Sequence, residues 1–96
     1  MIELIKFGAD WCGPCKMVAQ SVEKLKEKYN VEGSGIQITS IDVDQSPEFS
    51  REHKIQSIPA FIFKKDGTIV TKIVGVATFD KLEETINKLQ TEKVDE

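Results

Sequence analysis

From the first residues onward, apolar positions come in short runs separated by turn-forming residues. Residues 2–7 (IELIKF) form an apolar run with a single lysine, Lys6, set inside it. The run stops at Gly8 and Ala9 and predicts a strand. Val18, Val22, Leu25 and Tyr29 then recur at helical spacing, with Glu23, Lys24, Lys26, Glu27 and Lys28 on the other face. This predicts an amphipathic helix over about 13–30. VEGSG breaks the pattern, and Ile36, Ile38, Ile41 and Val43 supply a second strand. QSPEFSREHKI reads as a short helix, with Ser46 as N-cap, Pro47 in the first helical position and Phe49 toward the core. SIPAFIFKKDGTIVTKIVG reads as two strands around a Lys-Asp-Gly turn. Thr78 or Asp80 opens a last helix whose buried stripe is Phe79, Leu82, Ile86 and Leu89. TEKVDE is a polar, frayed end.

The expected order is β-α-β-α-β-β-α. A helix joins the first two strands, so they should lie parallel; the last two should form an antiparallel hairpin. The fold class is α/β, a four-stranded mixed sheet flanked by helices. Residues 1–90 form one domain and 91–96 a tail, with no repeat or linker.

Composition narrows the function. Ninety-six residues suit one small domain, and 40% hydrophobic with 30% charged residues suits a globular one. A net charge of -3 gives no support to nucleic-acid binding, which wants a basic face. No apolar run approaches the roughly 20 residues of a membrane span. The N-terminus carries no basic leader, so a cytoplasmic location is expected; the sequence carries no oligomeric signal, and a monomer is expected.

Both cysteines lie in ADWCGPCKM, where the first strand gives way to the first helix. Unpaired N–H groups and the helix dipole favour negative charge there. Cys12 should therefore have a lowered pKa and act as nucleophile. Cys15, one turn further in and more buried, is the resolving thiol. Other uses fit less well. A structural zinc site commonly needs four ligands, and one cysteine pair with one histidine, His53, falls short, so no metal is expected. A static disulfide across so small a loop would stabilise little by chain entropy. Two merely buried cysteines would not call for the flanking tryptophan, Gly-Pro and helix start.

WCGPCK, residues 11–16, resembles the active-site motif of the thioredoxin family, and the pairing of such a motif with a βαβ unit is a general thioredoxin-like signal. IDVDQSPEFSREHKIQSIPAFIFKKDGTIV resembles the family's middle segment. The resemblance extends from Ile2 to Leu89 and implies a minimal thioredoxin fold. It implies a cis bond at Ile58-Pro59 and a substrate surface of Trp11, Gly13, Pro14, Ile58, Pro59, Val74 and Gly75 around Cys12. It also implies a redox-active disulfide between Cys12 and Cys15, and no bound cofactor. Several positions depart from the family. The chain begins directly at the strand leading to the cysteines, without the family's preceding strand and helix. Gln20 stands where a helix-kinking proline is usual, and Gly8 where a tryptophan is usual. Lys6 and Ser40 stand where a buried aspartate and a lysine are usual.

The implied reaction is thiol–disulfide exchange. Cys12 thiolate attacks a substrate disulfide, and Cys15 then attacks Cys12 Sγ and releases reduced substrate. Protein disulfides are the expected substrates, with a thioredoxin reductase or a glutathione system as electron donor. No G-x-G-x-x-G dinucleotide fingerprint is present, so hydride chemistry belongs to that donor. Three roles are open to Lys6. Its ammonium could lower the pKa of Cys15, a neutral amine could accept a proton, or the chain could snorkel to water with its stem in the core. A glutathione-dependent, glutaredoxin-like reductase and a non-catalytic binding module are the alternative functions.

Overall fold

The computed structural model describes residues 1–91. Of the predicted tail, Thr91 closes the last helix, and 92–96 lie outside the described residues. Seven elements follow in the expected order. They are β1 (Ile2–Gly8), α1 (Gly13–Tyr29), β2 (Ile36–Asp42), α2 (Pro47–Glu52), β3 (Ala60–Lys65), β4 (Thr68–Val74) and α3 (Phe79–Thr91). The sheet runs β2-β1-β3-β4. β1 pairs parallel with β2 and antiparallel with β3, and β3 pairs antiparallel with β4.

The two-residue period of β1 sorts its side chains between two cores. Ile2 and Leu4 join Phe61 and Phe63 of β3 and Ile36 and Ile38 of β2 under α1 and α3, which contribute Val18, Val22, Leu25, Leu82, Ile86 and Leu89. Ile5 and Phe7 join Ala60 and Ile62 on the opposite face, beneath Phe49 of α2 and Ile55. Burying each large side chain contributes roughly 1.5–3 kcal/mol. The same alternation puts Lys6 and Gly8 on the α1 face, in line with Leu4.

Turn chemistry sets the ends of the elements. Asp66 and Gly67 both have positive φ, 53° and 85°, as a two-residue primed hairpin turn requires. Thr78, rather than Asp80, opens α3: its Oγ1 accepts from Lys81 N–H at 3.1 Å, and its carbonyl accepts from Leu82 N–H at 3.0 Å. Ser46 occupies the N-cap of α2, but its side chain makes no capping bond; Pro47 follows it and supplies no N–H. α1 is unbroken across Gln20.

Candidate active site

The β1–α1 turn delivers the two cysteines. Cys12 is the N-cap of α1, with extended backbone (φ -88°, ψ 110°), and its Sγ accepts the N–H of Cys15 at 3.1 Å. The first turn of α1 holds no acidic residue, and Lys16 lies in it. Negative charge on Cys12 Sγ thus meets a pointed N–H and the positive end of the dipole, with no carboxylate of that turn opposing it. Cys12 and Cys15 are joined as a disulfide, with Cα atoms 5.2 Å apart. Cys15 is expected to be the more buried of the two; in the disulfide state both are nearly covered, at 5% and 2% exposure.

The second wall comes from the segment leading into β3. Ile58-Pro59 is a cis peptide bond, as the resemblance implied. Ile58 O lies 4.0 Å from Cys12 Sγ, and the Ile58 side chain packs on Ala9, Cys12 and Cys15. Pro59 O accepts from Gly75 N–H at 2.8 Å, which ties the end of β4 to this wall. Gly75 has φ of 100°, a conformation open to glycine and strained for other residues. Val74 is 55% exposed, so it is a rim residue and not a core one. Gly13 and Pro14 are exposed, Pro59 is buried and Ile58 is half-buried. The residues expected around Cys12 thus lie on three segments, the β1–α1 turn, the Pro59 segment and the end of β4, and of the last two segments Ile58 is the one that packs on the cysteines.

Trp11 is 69% exposed, yet it is anchored: its Nε1–H donates to Asp44 Oδ2 at 2.7 Å. Asp44 in turn donates its backbone N–H to Asp42 Oδ1 at 2.8 Å. Asp44, the partner of Trp11, is a contact that the sequence did not reveal. The only signal was its place just past the C-terminal end of β2, which the parallel register sets beside the end of β1.

Lys6 faces a cavity of about 290 Å³ whose lining includes Gly8, Asp10, Cys15, Ser40 and Asp42. A Cβ on Gly8 would sit 3.2 Å from Cys15 Sγ and 3.2 Å from Lys6 Nζ. Glycine at position 8 thus leaves the space between the Lys6 amine and Cys15 Sγ free of a side chain. Burial holds the Lys6 amine below the usual lysine range; Lys26 adds to this, while Glu23, Asp42 and Asp10 oppose it. Among the described residues, no three His, Cys, Asp or Glu side chains gather in a metal-binding group. His53 instead packs with its ring tilted against those of Phe7 and Phe49, with Nδ1 2.8 Å from Phe49 O.

A buried cysteine pair at a helix N-terminus, faced by a cis-proline and an open apolar rim, defines a dithiol–disulfide exchange site. Comparison with known proteins gives that class its family. Residues 2–88 match the thioredoxin family profile. A thioredoxin from Listeria monocytogenes is 41% identical over 85 residues, spanning 88% of this chain and 80% of that protein. A single-substitution mutant of a thioredoxin from Halobacterium salinarum superposes with a TM-score of 0.83 at 32% identity, covering 98% of this chain and 78% of the other. Oxidized mitochondrial thioredoxin 3 from Saccharomyces cerevisiae superposes with a TM-score of 0.77 at 36% identity, covering 91% and 77%. The chain belongs to the thioredoxin family and is a thiol–disulfide oxidoreductase, with its redox-active disulfide at Cys12–Cys15.

Proposed function

We propose that this protein reduces disulfides in other proteins, with Cys12 as nucleophile and Cys15 as resolving thiol. The carrying observation is the placement of Cys12 Sγ, cradled by the Cys15 N–H at the start of α1 and 4.0 Å from Ile58 O. An extended substrate segment lies along Trp11, Gly13, Pro14, Ile58, Pro59, Val74 and Gly75. There its backbone pairs beside Pro59 and its disulfide is presented to Cys12. Cys12 thiolate attacks one substrate sulfur, and the other leaves as thiolate. Cys15 thiolate then attacks Cys12 Sγ, the disulfide re-forms, and two electrons have passed to the substrate. The dithiol is restored by a thioredoxin reductase. The protein works as a monomer, since one chain carries both thiols and the whole rim. Its setting is the cytoplasm, where thiols are kept reduced.

The test is turbidimetric insulin reduction with two electron supplies: thioredoxin reductase with NADPH, and glutathione with its reductase. Turnover with the first, lost in Cys12→Ser, is expected. Turnover with the second alone would make the protein a glutaredoxin-like reductase. A Cys12→Ser/Cys15→Ser protein that retained its cellular role would make it a binding module.

A further inference from the structure

Lys6 is the one charged side chain on the β1 face that packs under α1, in line with Ile2, Leu4 and Gly8; the strand's other charge, Glu3, is on the opposite face. No hydrogen bond or ion pair within 4 Å is found for its amine among the described residues. Its Nζ and Cys15 Sγ each lie 3.2 Å from the point that a Gly8 Cβ would occupy, and both residues line the same cavity. We propose that Lys6 is a positioning residue for the resolving thiol, its ammonium stabilising the Cys15 thiolate on which substrate release depends. This rests on the exchange reaction proposed above and assigns its second half.

The charges around Lys6 are Lys26 and Glu23 from α1, Asp42 from β2 and Asp10 from the β1–α1 turn, with Lys16 of α1 on the wall of the same cavity. Opposite it on β3 stands Phe61, which carries no charge. In the disulfide state these carboxylates give the partly buried ammonium incomplete compensation, in keeping with its lowered pKa. Reduction supplies the missing partner. In the mixed disulfide, Cys15 Sγ loses its proton to solvent through the cavity, past the exposed Asp10 and Lys16 at its rim. The Cys15 thiolate attacks Cys12 Sγ; the Cys12–Cys15 bond forms and the Cys12–substrate bond breaks. The substrate sulfur leaves as thiolate and takes a proton from water. A cation that favours the thiolate favours the reduced protein, so the pair should be less strongly reducing than it would be without Lys6.

The experiment isolates Cys15 in a Cys12→Ser background, where serine keeps a cap at α1 and one thiol remains. Ultraviolet thiolate absorbance is followed against pH with Lys6, Lys6→Met and Lys6→Gln. Both substitutions should raise the Cys15 midpoint by about one pH unit or more, the size expected for loss of a nearby opposite charge. With both cysteines present, a one-unit rise should slow decay of the mixed disulfide at pH 7 about threefold. The tenfold loss of thiolate is partly offset by its greater nucleophilicity. The reduction potential of Lys6→Met should also be more negative than that of the unaltered protein. Unchanged titration in either variant, or an unchanged potential, overturns the proposal. Because the titration needs no turnover, it can fail while insulin reduction succeeds, and the reverse, so the two readings are tested separately.

Discussion

Cys12 Sγ caps α1, and in the proposed reaction the same atom is the attacking sulfur. Cys12→Ser should therefore leave thermal stability close to that of the reduced protein while abolishing insulin reduction. Cys15→Ser should keep the attacking thiol but stall at the first step. A covalent substrate adduct through Cys12 should then accumulate on non-reducing gels. Trp11 gives a finer test. Asp44→Ala frees the indole without touching the cysteines, so KM for a protein disulfide should rise several-fold with stability changed by no more than about 0.5 kcal/mol. The cysteines, Trp11 and Pro59 were legible in the sequence because their neighbours in the chain carry the signal. Asp44 was not, since its bond to Trp11 joins segments 33 residues apart. Lys6 was visible as an anomaly. That it shares a face with Gly8 follows from strand alternation, but its approach to Cys15 depends on how α1 lies over β1.

Elements form where expected, and their boundary contacts show what patterning leaves out. Asn30, just past α1, uses its side-chain amide as a short stretch of strand. It donates to Ile38 O at 2.9 Å and accepts from Ile38 N–H at 2.7 Å. This occupies part of the outer edge of β2, the end strand of the described sheet. Asn30→Ala should cost about 1–2 kcal/mol in urea unfolding. Helix caps should behave unequally despite similar sequences. Thr78→Ala removes a real cap from α3 and should cost about 1 kcal/mol, while Ser46→Ala, which removes no capping bond, should lie within about 0.5 kcal/mol of zero. A serine before a proline marks the start of α2 correctly, yet whether its oxygen turns toward the helix is decided by backbone angles that the pattern does not encode.

Across the whole molecule, β1 is the organising strand, paired on both sides and buried on both faces. This made the topology legible: the apolar runs are short, their connections are few, and a helical crossover leaves β1 and β2 parallel. Contacts between surface helices were not legible. Glu83 of α3 receives bonds from both Lys28 and Tyr29 at the end of α1. The Lys28 and Tyr29 bonds hold the Glu83 carboxyl below the usual carboxylate range. A carboxyl lowered by folding stabilises the fold above its unfolded pKa, and that stability is lost as pH falls through its folded value. Thermal melts should therefore show Glu83→Gln less stable than the unaltered protein at neutral pH, with the gap closing in acid. Beneath this clasp, Leu82 is fully buried between α3 and the sheet, and Leu82→Ala should cost about 2–5 kcal/mol.

The central claim, that the fold turns Cys12 into an attacking thiolate, is tested most directly by alkylating the fully reduced protein. Iodoacetamide would be applied at limiting dose from acid to alkaline pH, and the modified cysteine read by peptide mass. The predicted result is selective labelling of Cys12, with a midpoint below the roughly 8.5 of a free thiol and Cys15 largely spared. Equal labelling of both cysteines with an ordinary thiol midpoint, or preferential labelling of Cys15, would contradict it.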